Sequence, residues 1–198
     1  MSSLSCANLL STYAAAWEDA TVHPFLIGCQ RGDITAQQFN TWLVQDYLFV
    51  LAFTRMAARL LAAAPDSHLD TLLGGMVALK DELLWFQSKA AERSLDLNTA
   101  RQPICQTYCE FMQALAPQPY AVQATAFWAI ELAYNQGWQR HSPMPAPYAE
   151  FAERWGNPGF TAYVHQLAQQ ADQALAKADA STCAAAQTQY LLFLTLPP

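Results

Sequence analysis

The chain has 198 residues, a length that fits one domain with a sizeable buried core. Apolar residues make up 53 % of it and charged residues only 13 %, so little charge is available to cover a surface, and a homo-oligomer (dimer or tetramer) is expected. The formal net charge is −6 with no basic cluster, which argues against nucleic acid and anionic membrane surfaces as partners.

The chain opens on MSSLSCANLLSTY, where no basic residue precedes the apolar part, so it does not read as a secretory signal. No apolar run is long and clean enough to span a membrane, because Gln, Asn and Pro interrupt the least charged stretches. Helical signals then dominate: Ala, Leu and Gln are abundant and alternating β-branched runs do not occur. His23-Pro24 starts a helix, with His23 as a capping or packing residue. Gly32-Asp33 makes a turn, and Thr35 with Gln38 forms a capping box that opens a helix to about Ala64. Pro65-Asp66-Ser67 breaks it, and a second long helix runs to about Arg93. A third covers roughly Arg101 to Leu115, and a fourth runs from about Tyr120 to Arg140. HSPMPAP is a Pro-rich connection, after which Gly156 lies past a helix end and Pro158 sits at a new helix start. Two further helices finish the chain. Without repeats or an interdomain linker, residues 1–198 read as a single-domain all-α bundle.

Two long apolar, aromatic-rich stretches each carry one charge, and both times it is a carboxylate. From Ile34 to Thr54 it is Asp46; from Phe111 to Gln139 it is Glu131. A carboxylate is costly to bury unless something pairs with it or uses it. Helical spacing puts Trp42, Asp46, Phe49 and Phe53 in line, and Phe127, Glu131 and Tyr134 on one face. The economical picture is a pocket between two helices, walled by rings and floored by two acids. The alternative is that each acid hydrogen-bonds a buried Tyr or Trp for packing specificity alone.

Other chemistries find no support. There is no Gly-rich phosphate loop, no G-x-S-x-G and no dinucleotide fingerprint. None of His23, His68, His141 and His165 has Glu three residues before it, so a di-iron E-x-x-H pattern is not formed. Cys105 and Cys109 lie four apart without further ligands at metal spacing and read as small core residues. Five cysteines, an odd number without C-x-x-C, fit a reducing cytoplasm better than a disulfide framework. No metal and no cofactor is expected.

Four segments in order resemble the TenA (thiaminase II) family. HPFLIGCQRGDITAQQFNTWLVQDYLFVLAF is similar to its opening, with HPF, a short Gly turn and then a helix carrying QDY. AFWAIELAYNQGW, LKDELLWF and ERWGNPGF resemble one branch of the family, and the likeness runs from about His23 to the C-terminus. The resemblance implies a haem-oxygenase-like fold without haem, usually oligomeric, and hydrolysis at the aminomethyl group of thiamin-derived pyrimidines to hydroxymethylpyrimidine in thiamin salvage. The better-known branch uses a cysteine nucleophile; Glu131 stands at that position here. This implies the glutamate branch, associated with the aminopyrimidine and its N-formyl form. By the same resemblance, Asp46 holds the ring nitrogen and exocyclic amine. Phe49 and Trp155 are pocket walls, Tyr108 contacts substrate, and Tyr134 is a further wall candidate.

The last helix departs from the family. Its E-x-x-F-W motif is replaced by QYLLF, with Gln189 at the glutamate position, Leu192 for Phe and Phe193 for Trp. Gln cannot move a proton, so either Glu131 works alone or another acid assists. Glu82 in LKDELLWF is the candidate helper; a helix residue paired with a lysine is its bland reading. The residue types suit the chemistry: Asp46 can bind an amidine edge through paired hydrogen bonds, and Glu131, its pKa raised by apolar surroundings, can act as general acid/base. Direct nucleophilic attack is the second version. Two competing readings are a pyrimidine-binding protein without turnover, which Gln189 supports, and a metal-dependent oxidase on the same fold.

Overall fold

A computed structural model describes residues 4–197. The chain is 78 % helical, with no strand among the described residues. Its helices are α1 (Cys6–Thr12), α2 (Ala14–Thr21), α3 (Pro24–Arg31), α4 (Ala36–Ala63), α5 (Leu69–Glu92), α6 (Pro103–Ala114), α7 (Tyr120–Arg140), α8 (Ala149–Gly156), α9 (Pro158–Leu175) and α10 (Ala180–Leu194), with a 3-10 turn at Asp66–His68. They form two compact units, one from Met1–Ile34 and Pro119–Pro198, the other from Thr35–Gln118. The first three residues of the N-terminal segment read above, and Pro198, lie outside the described residues.

The long elements follow their sequence signals. Thr35 Oγ1 accepts from the Gln38 amide at 3.2 Å while Gln38 Oε1 accepts from the Thr35 amide at 2.9 Å, so the expected capping box opens α4. His23 caps α3, its Nδ1 accepting from the Phe25 amide at 3.0 Å. Gly156 is the last residue of α8 rather than the one beyond it, because Asn157 serves as the cap of α9, with Oδ1 accepting from Phe160 at 2.9 Å.

α7 is the axis of the first unit. Every residue from Ala121 to Ile130 is buried, as a helix apolar on all sides requires. α2, α8, α9 and α10 pack around it. The Tyr190 ring is sandwiched between two indoles, with centroids 6.0 Å from Trp17 and 6.1 Å from Trp128. Such ring pairs add about 0.5–1.5 kcal/mol to plain area burial. Trp17 Nε1 donates to Gln136 Oε1 at 2.8 Å, and Arg140 pairs with Glu18 at 2.7 Å, so α2 is tied to α7 at two levels. Gly137 lets Leu26 come close: a Cβ there would stand 3.1 Å from Leu26 Cδ1.

In the second unit α4 packs on α5 and α6. Asn40 takes a 3.1 Å bond from Arg93, and Tyr47 meets Phe86 at 6.3 Å, so α4 and α5 run antiparallel. Cys105 Sγ lies 3.4 Å from the Gln45 carbonyl, and Phe49 meets Tyr108 at 6.0 Å, so α4 and α6 run in the same direction. Gln45 also secures the approach to α6: its Nε2 donates to the Ala100 carbonyl at 3.2 Å and its Oε1 accepts from the Gln102 amide at 2.7 Å. That amide would otherwise lack a partner at a helix start with no side-chain cap.

Removing the capping box with Thr35→Ala is expected to cost about 1 kcal/mol. In a chain of this size that is a Tm drop of about 2–4 °C, measurable by thermal unfolding followed at 222 nm.

Candidate functional site

The site residues expected from sequence fall into two clusters, one in each unit. In the second unit Asp46 is 5 % exposed, and it is the sole fully buried carboxylate among the described residues. It sits on α4 close enough to Cys105 of α6 for its charge to help push that thiol up; the larger causes are the Cys109 hydrogen bond and burial. One turn on, Phe49 stacks on Phe53 at 5.9 Å and takes the Tyr108 ring edge-on at 6.0 Å and 80°. Burial raises the Tyr108 hydroxyl above its ordinary pKa, so this phenol stays protonated and available as a donor. Asp46, Phe49 and Tyr108 are thus brought to one α4–α6 seam. Trp42, read on the same face, pairs with Phe39 at 5.2 Å. Glu82 lies half-buried on α5, more sheltered than a plain surface residue.

In the first unit Glu131 is half-buried on α7, the one charge in a stretch that is otherwise uncharged from Phe111 to Gln139. Tyr163 of α9 faces it: burial first, and then the Glu131 charge, raise the Tyr163 hydroxyl well above the usual phenol range. Tyr134 and Trp155 meet edge to face at 5.8 Å and 69°, and Trp155 also stacks on Trp138 at 5.2 Å. Trp155 is held from its backbone, where Asn135 Nδ2 donates to the Trp155 carbonyl at 2.8 Å. Asn135 in turn accepts from Thr161 Oγ1 at 3.2 Å, so one buried amide joins α7, α8 and α9. Gln189 is half-buried on α10, beside the wholly buried Tyr190. Leu192, at the position of the family's Phe, is 46 % exposed, whereas Phe193 is buried against Trp17 at 6.5 Å.

A half-buried carboxylate flanked by a protonated phenol and two rings can shuttle a proton to and from a flat heteroaromatic substrate. A buried carboxylate beside a phenol and stacked rings can hold the polar edge of such a ring. Sequence reasoning did not single out Tyr163 or Asn135. Tyr163 reaches Glu131 only through the packing of α9 on α7, which no local spacing announces. Asn135 carried a weak signal, as an amide within an apolar helix one residue past Tyr134. Among the described residues no three His, Cys, Asp or Glu side chains gather in an arrangement that could hold a metal ion.

The all-α architecture is the haem-oxygenase-like helical fold shared by the solved structures it resembles. Residues 11–196 match the family model described as the TENA/THI-4/PQQC family, and the chain belongs to that family. A probable bifunctional TENA-E protein of Glycine max is 35 % identical over 181 residues, covering 85 % of this chain and 79 % of the soybean protein. An aminopyrimidine aminohydrolase of Helicobacter pylori is 38 % identical over 42 residues, covering 21 % of this chain and 19 % of its own. Among solved structures, a TenA homologue from Pyrococcus furiosus superposes with a TM-score of 0.90 at 25 % identity, covering 96 % of this chain and 94 % of its own.

Asn135→Ala leaves the buried Trp155 carbonyl without its donor and is expected to cost about 1–3 kcal/mol. Urea unfolding measures the loss, and near-ultraviolet circular dichroism should show a weakened Trp138–Trp155 signal in the folded variant.

Proposed function

We propose that this protein hydrolyses thiamin-derived pyrimidines, converting the aminopyrimidine or its N-formyl form to hydroxymethylpyrimidine in thiamin salvage. The observation that carries this reading is Glu131: a half-buried carboxylate in a stretch otherwise uncharged from Phe111 to Gln139, facing Tyr163 and three residues before Tyr134, whose ring meets Trp155. Membership of the TENA/THI-4/PQQC family, the similarity to the soybean TENA-E protein and the matching segment of the Helicobacter aminohydrolase support it.

In this mechanism Asp46 accepts hydrogen bonds from the ring nitrogen and the exocyclic amine of the pyrimidine. Phe49, Tyr108, Tyr134 and Trp155 hold the ring's faces and edges. Glu131 supplies the proton that lets the aminomethyl nitrogen depart as ammonia, and takes one from the water that forms the new carbon–oxygen bond. For the aminopyrimidine, atoms balance as amine plus water giving alcohol plus ammonia; the N-formyl form takes a second water, which hydrolyses its amide and releases formate. Gln189, at the position where the family resemblance implies a glutamate, can only donate and accept hydrogen bonds, so proton traffic falls to Glu131, with Glu82 as the candidate helper. The family match runs through both compact units, which supports residues 1–198 acting as one functional domain. A homo-oligomer, dimer or tetramer, is supported by exposed Leu73, Val77 and Leu84 on α5, at 52 %, 61 % and 55 % exposure. Five cysteines without a disulfide support a cytoplasmic location.

A second reading, a pyrimidine-binding protein without turnover, is favoured by Gln189 alone. Formation of hydroxymethylpyrimidine from the aminopyrimidine, its N-formyl derivative and thiamin separates the two. Turnover of the pyrimidines but not thiamin is expected, with Glu131→Gln slowing it by about 10²–10⁴-fold. Asp46→Asn should instead weaken binding, seen by calorimetry. Intact ring binding with no turnover in the unaltered protein would leave the binding reading standing and sink the hydrolase.

A further inference from the structure

Within the second unit a cleft of about 210 Å³ is lined by Arg55 and Arg59 of α4, Arg101 just before α6, and Cys109 and Gln113 of α6. The chain has only ten lysines and arginines, and three of them gather here. Arg55 and Arg59 are one helical turn apart on α4 and therefore share a face. Like charges brought together repel, and the arrangement is costly unless something anionic offsets it.

Among the described residues no carboxylate does so. Among the described residues none of these three arginines forms an ion pair, whereas Arg140 meets Glu18 at 2.7 Å and Lys89 meets Glu92 at 3.1 Å. Arg55 Nη1 donates to the Leu51 carbonyl of its own helix at 3.0 Å. Arg101 Nη1 reaches Gln106 Oε1 only at 3.5 Å, and the Arg101 Nε–H is buried without a partner. A guanidinium offers five N–H donors, so most of the donor capacity of the cluster is unused. The carboxylates nearby are otherwise engaged: Glu110 takes the Gln106 amide at 2.9 Å, and Asp46 lies buried at the α4–α6 seam. The Cys109 thiol reports the local field. It is lowered to about 7, first by its hydrogen bond with Cys105 and then by Arg101 and Arg55, against burial and Glu110.

We infer that this cleft is an oxyanion site that takes a phosphate group. Convergent guanidinium forks suit a tetrahedral, multiply charged oxyanion better than a single carboxylate. At about 30 Å³ per water the space corresponds to roughly seven waters, more than one phosphate ion fills and suited to a diphosphate or a phosphate ester. None of the residues proposed to act on the pyrimidine lines the cleft, so the inference stands apart from that reading.

The test is calorimetric titration of the full chain in low-salt buffer with inorganic phosphate, pyrophosphate and phenyl phosphate. Pyrophosphate is expected to bind, and to bind at least about tenfold more weakly to Arg55→Gln/Arg59→Gln and to Arg101→Gln. Added sodium chloride should weaken it as well. Tighter binding of phenyl phosphate than of inorganic phosphate would assign an organic ester, and the reverse order the inorganic ions; either supports the site. Arg55 and Arg59 are exposed, so the double variant keeps the fold and decides the matter even if Arg101→Gln unfolds. Absence of binding by all three anions, or equal affinity in the double variant, would overturn the inference.

Discussion

A helix without a polar face has to be covered on every side, and α7 is such a helix. From Ala121 to Ile130 it offers water nothing, so the first unit is organised as a sleeve of α2, α8, α9 and α10 around it. The sleeve meets it with large rings because they cover the most area per residue: Trp17 and Tyr190 on the side of Trp128, and Trp155 against Trp138. Only toward its C-terminal half does α7 turn polar, and Glu131 is the residue at which the change occurs. The position of the acid is therefore a consequence of where the sleeve stops being complete. A carboxylate one turn earlier would sit among fully buried neighbours, and one turn later it would replace the buried Asn135; the helix reaches exposed residues again only at Gln139 and Arg140.

Tight wrapping leaves backbone groups to be satisfied, and the chain does it with amides rather than charges. Gln45 serves both the Ala100 carbonyl and the Gln102 amide, and Asn135 serves the Trp155 carbonyl while accepting from Thr161. An uncharged amide can donate and accept at once, at lower desolvation cost than an ion. This accounts for how a chain with 13 % charged residues closes its helix junctions. It also makes Asp46 conspicuous. A buried carboxylate on α4 is a more expensive choice than an amide would be.

Local signals carried the element order well because each depends on a few adjacent residues. The Thr35–Gln38 box, the His23-Pro24 start, the break at Pro65 and the Asn157-Pro158 restart are all short-range chemistry, and each marks a helix end in the structure. Asp46 with Phe49, and Tyr134 with Trp155, were legible for a related reason: helical spacing for the first, motif resemblance for the second. What spacing cannot show is which helices pack together. Tyr163 meets Glu131 through the α7–α9 contact, and Arg101 joins Arg55 and Arg59 through the α4–α6 contact. In the sequence Arg101 stands more than forty residues from Arg59, in a stretch that reads only as a helix start. The division into two compact units was likewise invisible, since both are helical and no linker composition marks the crossings at residues 34–35 and 118–119.

Scarcity of charge gives each remaining charge more meaning than it has on an ordinary surface. In a chain with many ion pairs, three arginines in one cleft would find carboxylates by chance, and a lone glutamate on a helix would pair with a neighbouring lysine. Here Arg55, Arg59 and Arg101 stand apart from the ion pairs while Glu110 takes a neutral amide instead. Electrostatic stability is not what this arrangement optimises, because surface pairs are worth little and unpaired like charges cost something. The fields of Asp46 and Arg101 both reach Cys105, yet among the described residues no ion pair joins them. On the readings proposed above, the scarce charges serve ligands: carboxylates for the polar edge and leaving amine of a heterocycle, guanidiniums for an anion.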